Sequence, residues 1–248
     1  MKKKQMLCSV VIITFITVVM MTVALLLYSI GWISPTDLSS AYYCVKGVDV
    51  SSYQGYIDWQ VLPQDIDFVY IKATEGSSST DEQFLYNWQE VQKTNIRAGA
   101  YHFFSFDSSG KTQAEHFIAT VAAFDKMLPP VIDVEFYADK EIDPPSRQIV
   151  HKQINIMVSM IEKHYGMKPI FYATRKSFDM YLSGNYMEYD IWIRDILCRP
   201  LLSDGRQWTF WQYSEKGYIK GYSGEENFID LNVFNGSKSE FYIYPKQS

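Results

Sequence analysis

The chain is short of the residues on which metal and thiol chemistry depend. It holds three cysteines and four histidines in 248 residues, with no CxxC pair and no HExxH helix to gather them around a metal. His102, His116, His151 and His164 are scattered. No GxSxG turn presents a nucleophilic serine, and no glycine-rich loop is built to cradle phosphate. Basic charge is scarce as well. Residues 34–248 carry 20 Lys and Arg against 28 Asp and Glu, a formal charge of −8. That excess argues against nucleic acid or an anionic bilayer surface as partner, because phosphate binding needs a basic footprint. Internal repeats are absent, and low complexity is confined to Ser77-Ser78-Ser79-Thr80. Hydrophobic residues at 47% and aromatics at 16% exclude a disordered chain.

The N-terminal 33 residues form a separate unit. Lys2, Lys3 and Lys4 precede an uncharged, mostly apolar run over 6–33. A secretory signal has an apolar region of only ~7–15 residues, whereas a bilayer core of ~30 Å needs about 20 helical residues. The expectation is a retained, single-pass signal anchor over 1–33. The lysines then lie in the cytoplasm and the rest of the chain on the extracytoplasmic face. Ser39-Ser40-Ala41 resembles a cleavage site but lies well past the apolar stretch. Cys8 falls in the anchor. Cys44 and Cys198 are left in an oxidising compartment, where a disulfide between them stays open. Residues 34–46 read as a short linker. Its dozen or so residues extend at most ~3.3–3.6 Å each, which keeps domain 47–248 near the membrane.

Beyond the linker, apolar strand-like runs alternate with longer amphipathic stretches. Strands are predicted at 47–50, 67–74, 97–104, 130–136, 168–174, 190–194, 208–213 and 227–234. Helices are predicted at 81–94, 111–124 and 146–165, the last opening after Pro144-Pro145 and stopping at Gly166. Repeated strand–helix units indicate an α/β barrel or open sheet. Later connections are short and rich in turn residues, which suggests antiparallel final strands.

The run Val131-Ile132-Asp133-Val134-Glu135-Phe136 places two carboxylates on an apolar strand. Residues i and i+2 of a strand share a face, so Asp133 and Glu135 project together. That arrangement is expensive unless a ligand, a cation or chemistry uses it; the plain alternative is a cap and an ion pair. The same parity puts Asp49 beside Gly47 and Ser51, and Asp230 beside Asn232, opposite their strands' aliphatic residues. In a barrel one parity packs on the outer helices and the other faces the centre. Asp49, Asp133, Glu135 and Asp230 are therefore expected to share one cavity, with Lys72 available as a counter-charge. An all-oxygen calcium site is a rival use of such acids.

Paired carboxylates also perform glycoside hydrolysis, one protonating the leaving oxygen and the other stabilising the cationic sugar. Tyr53, Tyr101, Tyr172, Trp192, Trp211 and Tyr213 sit in or beside strand ends and offer faces for sugar C–H groups. Gln54 and Gln212 are placed to bond hydroxyls. Core packing is the competing explanation for each aromatic.

In order along the chain, several segments resemble the family 25 glycoside hydrolases, the Chalaropsis-type lysozymes or N-acetylmuramidases. They are Gly47-Val48-Asp49-Val50-Ser51-Ser52-Tyr53-Gln54-Gly55, Phe68-Val69-Tyr70-Ile71-Lys72-Ala73-Thr74-Glu75-Gly76 and Gly99-Ala100-Tyr101-His102-Phe103-Phe104. Asp133-Val134-Glu135, Phe171-Tyr172, Trp192-Ile193, Trp211-Gln212-Tyr213-Ser214 and Asp230-Leu231-Asn232 continue the series. The resemblance implies a flattened β/α barrel that needs no cofactor and cleaves the β-1,4 bond between N-acetylmuramic acid and N-acetylglucosamine of peptidoglycan. It implies Glu135 as general acid, Asp133 as its partner, and Asp49 and Asp230 completing the acidic site. Tyr101 and Tyr172 would line the substrate site. Arg194-Asp195 departs from the small residue usual after Trp-Ile in this family. Glu135 beside an ionised Asp133 is expected to stay protonated near neutral pH. The pair's Cα separation of roughly 6.6 Å does not choose between retention and inversion, and leaves open attack by the substrate's own acetamido group. A non-catalytic wall-binding protein on the same scaffold, or a hydrolase of another amino-sugar polymer, remain alternatives.

Overall fold

The computed structural model describes residues 2–62 and 65–245. The side chains of Lys2, Lys3, Lys4 and Cys8 fall outside that description, and with them the lysine cluster expected to orient the chain. A long helix, α1 (Lys2–Ser29), leads into a single turn, α2 (Asp37–Ser40). Nine strands follow: β1 (Lys46–Val50), β2 (Phe68–Glu75), β3 (Ser79–Thr80), β4 (Arg97–Phe103), β5 (Val131–Val134), β6 (Ile170–Thr174), β7 (Ile191–Arg194), β8 (Phe210–Gly217) and β9 (Ile229–Phe234). Three longer helices interrupt them: α3 (Phe84–Val91), α4 (Gly110–Thr120) and α5 (Arg147–Tyr165). A short turn of helix, α6 (Arg175–Ser177), follows β6, and α7 (Lys238–Tyr242) closes the chain's last turn.

Eight of the strands close into a barrel, because β1 pairs with β2 on one side and β9 on the other. The two-residue β3 pairs only with the end of β2. All eight predicted barrel strands are present, but the expected antiparallel ending is confined to β9. Strand β8 runs parallel to β7, since residues 195–209 are long enough to return the chain to the same end. β9 then runs antiparallel to both β8 and β1. Strand β5 also ends at Val134, so Glu135 sits just past it rather than within it.

The two parities are filled differently. Val48, Val69, Ile71, Ile132, Phe171 and Ile193 belong to the outer core with Trp88, Phe117, Ile154 and Met157 of the helices. Inside, Phe68, Tyr70, Leu128, Phe210, Phe234, Phe241 and Tyr244 form an apolar floor. Phe68 packs on Phe210 with ring centroids 5.1 Å apart, and Tyr70 on Trp192 at 4.9 Å. Space for these rings comes from two glycines on neighbouring strands. A Cβ on Gly47 would lie 2.5 Å from the Phe68 ring, and one on Gly99 would lie 2.2 Å from Tyr70 Cε1.

Residues 34–46 are not the free linker their composition suggested. Thr36 is fully buried and its Oγ1 donates to the Tyr213 carbonyl at 2.6 Å. Tyr43 packs on Trp208 at 5.2 Å, and Val45 is fully buried in the barrel floor. The segment is held along β8, which shortens its reach below that of an extended chain. Cys44 and Cys198 are separate, exposed free thiols.

Gly99→Ala is expected to destabilise the fold by about 3 kcal/mol, because the rigid Tyr70 ring has no room to yield. Chemical denaturation checks this. A loss below about 0.5 kcal/mol, the usual scale of a surface change, would contradict the packing described.

Candidate active site

Most of the side chains predicted to form the site gather at the C-terminal ends of the parallel strands, where loops leave the barrel open above its apolar floor. Because β9 runs the other way, its first residues reach the same end, and the register sets Asp230 directly opposite Asp49. Asp49, Asp133, Glu135, Asp230, Tyr101, Tyr172, Trp192, Gln212 and Gln54 line one cleft of about 490 Å³. A cleft of that size suits a small organic ligand or part of a polymer.

Asp49 is the best-supported acid. It accepts from Asn232 Nδ2 at 2.6 Å and from Gln212 Nε2 at 3.0 Å. Each amide is itself oriented by an aromatic donor. Tyr172 donates its hydroxyl to Gln212 Oε1 at 2.7 Å, and Trp192 Nε1 donates to Asn232 Oδ1 at 2.8 Å. The five side chains form one network in which every amide orientation is fixed. Burial nevertheless pushes the Asp49 carboxyl up to about 6, against the pull of Asn232 and Gln212. Burial and then the neighbouring Asp49 hold Asp230 well above the usual carboxylate range.

Asp133 is 5% exposed, and its Oδ1 is buried without a hydrogen-bond partner. Burial first, and then the charge of Glu135, raise its pKa well above the usual range. Glu135 is only partly buried. Burial pushes it up to about 7, with Arg194 pulling down and Asp49 pushing up. Burial thus raises both carboxyls of the pair, whereas strand parity alone leaves Asp133 ionised beside a protonated Glu135. Desolvation, which period-two parity does not reveal, is the largest cause at both positions.

Two expected contributors behave differently from their neighbours. Trp211 is fully buried in the outer core, its Nε1 donating to the Asp195 carbonyl at 2.8 Å. It therefore does not line the cleft; adjacent residues on a strand face opposite ways, and Gln212 takes the inner position. Gln54 lines the cleft, but its amide is committed. Its Oε1 accepts from the Ser51 backbone at 2.9 Å and its Nε2 donates to the Phe228 carbonyl at 3.3 Å.

The cleft also recruits Lys72, Phe103, Arg194, Glu215, Lys216, Glu226 and Phe228. Arg194 forms an ion pair with Glu215, and Lys72 bonds Glu75 at 2.8 Å. Lys72 was legible from parity. Glu215 and Lys216 were not, because β8 shifts register between Gln212 and Ser214 and again between Ser214 and Gly217. Such bulges break the period on which the prediction relies.

A closed barrel with buried carboxyls and aromatic rings at one open end has the working parts of a carbohydrate-cleaving enzyme. The sequence pattern of the Glycosyl hydrolases family 25 matches residues 48–222, and the chain belongs to this family. It is 36% identical over 210 residues to the protein YegX of Escherichia coli K12, covering 82% of this chain and 74% of that protein. It is 31% identical over 223 residues to Lysozyme M1 of Streptomyces globisporus, covering 83% and 71%. Among solved structures, a family 25 glycosyl hydrolase from Bacillus anthracis superposes with a TM-score of 0.78 at 55% identity, covering 82% of this chain and 94% of that one. The lysozyme of Streptomyces coelicolor superposes with a TM-score of 0.71 at 29% identity, over 80% and 95%.

A carboxyl with a raised folded-state pKa stabilises the fold only while protonated. The contribution of Glu135 is complete below about 4.5 and is lost as pH rises through about 7. Glu135→Gln is therefore expected to match the parent protein in stability at pH 4 and to exceed it at pH 8 by up to about 3 kcal/mol. Denaturant titrations at the two pH values check this. Equal stability at pH 8 would mean that Glu135 is better solvated than described.

Proposed function

We propose that this chain is a membrane-anchored N-acetylmuramidase of the lysozyme type, cleaving the β-1,4 bond between N-acetylmuramic acid and N-acetylglucosamine in peptidoglycan. The observation that carries this reading is the placement of Glu135, open and titrating near neutrality, beside the buried Asp133 in a sugar-sized cleft of a family 25 chain. Similarity to Lysozyme M1 supports the substrate.

In this mechanism Glu135 protonates the glycosidic oxygen as the bond to the anomeric carbon breaks. The buried, unpartnered Oδ1 of Asp133 is suited to accept from the N–H of the substrate's 2-acetamido group. That contact would turn the acetamido oxygen toward the anomeric carbon as internal nucleophile, a recognised route among glycosidases. Water then opens the cyclic intermediate while Glu135, now ionised, takes its proton. Asp49 supplies negative potential beside the developing positive charge, and the amide network keeps it from moving as that charge forms. Tyr101, Tyr172 and Trp192 present ring surface to the sugar.

Anchoring rests on α1. Its apolar stretch, Gln5–Ser29, is 25 residues long, or about 37 Å at 1.5 Å per residue. That length exceeds the ~30 Å hydrocarbon core and allows a tilted crossing. The catalytic domain then faces the wall on the extracytoplasmic side.

Glu135→Gln and Asp133→Asn are each expected to lower turnover on peptidoglycan by about 10²–10⁴-fold with an unchanged circular dichroism spectrum. Digestion should release new reducing-end muramic acid. New N-acetylglucosamine ends would point to a different amino-sugar bond, and no new ends to a binding protein. The alkaline limb of kcat/KM should fall near 7, following Glu135. Because Arg194 favours the ionised form of Glu135, Arg194→Gln should move that limb to higher pH. An unmoved limb would detach it from Glu135.

A further inference from the structure

The segment that leaves α1 does not hang free of the cleft; it is seated on the cleft's rim. The Lys216 ammonium lies 4.2 Å from the centre of the Tyr28 ring. At Gly31, φ is +74°, and a Cβ there would come within 2.7 Å of Phe228 Cε1 and 2.8 Å of the Lys216 carbonyl. Lys216 and Phe228 both line the cleft. Thr36 then bonds the Tyr213 carbonyl, and burial of Ser40 and Val45 carries the attachment on to β1. Apart from Asp37, the exposed side chains of the same segment are mostly apolar. Trp32 is 76% exposed, Leu38 87% and Tyr42 89%. Exposed aromatic and aliphatic side chains just beyond a spanning helix belong at the bilayer interface.

We propose that residues 28–43 act as a clamp that fixes the β8–β9 rim of the cleft at the bilayer surface, so that the substrate is glycan still attached to the membrane rather than mature wall. This inference rests on the membrane-anchored muramidase reading above. The helix ends at Ser29, and its last turn touches the rim. The acids are therefore held beside the plane in which the apolar run leaves hydrocarbon. A polymer joined to a lipid in that plane is delivered to the cleft at high local concentration. A cross-linked wall standing off from the membrane is out of reach, because the clamped segment cannot extend.

The test uses the full-length protein reconstituted in vesicles. One substrate is a lipid-linked glycan polymer in the same bilayer; the other is isolated wall sacculi added outside. The comparison variant carries a flexible Gly/Ser insertion of about 20 residues after Ile33, adding roughly 25 Å of reach. The parent should cleave membrane-attached strands at least about ten-fold faster than sacculi, reflecting local concentration. The insertion should bring the two rates close together by raising cleavage of sacculi, with hydrolysis of short soluble wall fragments unchanged. A parent with no preference, or an insertion that leaves the preference unaltered, overturns the clamp. Failure of both proteins on soluble fragments would instead overturn the muramidase assignment. Release of the parent from vesicles by alkaline carbonate would overturn the anchor.

Discussion

Desolvation of carboxyl groups is the constraint around which this molecule is arranged. Four acids share one cavity, and each ionisation removes charge from water with few cations to offset it. The structure answers with amide donors on Asp49, with proton affinities raised at Asp133 and Asp230, and with Arg194 and Lys72 at the edge. What results is a set of chemically similar groups spread over different affinities for a proton. That spread is what acid–base chemistry at one pH requires.

The barrel supplies this spread through its layering. The aromatic floor of Phe68, Tyr70, Phe210 and Phe234 keeps water from the underside of the site. Above it, Trp192 and Tyr172 belong to both layers: their rings pack on the floor, while their Nε1 and hydroxyl groups orient Asn232 and Gln212. Apolar packing thereby fixes the hydrogen-bond donors of the acidic layer. Gly47 and Gly99 take part indirectly, by admitting the Phe68 and Tyr70 rings that close the floor.

Much of this was legible in the sequence because strand parity is a rigid rule. Asp49, Asp133, Tyr101, Tyr172, Trp192, Gln212 and Asp230 all fall on the inner parity of regular strands, and all face the cleft. Parity also shows why Trp211 and Gln212 do not share a site, although both are of suitable type. Legibility ended where the backbone is irregular. The bulged end of β8 placed Glu215 and Lys216 without a period to follow. It ended as well where long-range packing decides. Nothing local in 34–46 announces that Thr36 and Tyr43 will dock 170 or so residues downstream. Depth of burial, which raises both Asp133 and Glu135, is a property of the closed barrel and not of the DxE motif.

Closure of the barrel by its first and last strands has a consequence in time. Asp49 and Asp230 face each other across that seam, and Asn232, which steadies Asp49, also comes from β9. A chain synthesised from its N-terminus carries Asp49, Asp133 and Glu135 long before Asp230 and Asn232 exist. Until β9 inserts, Asp49 lacks one of its donors and the sheet has two open edges. The four-acid cavity is therefore assembled only when β9 inserts, however early its other three acids were made.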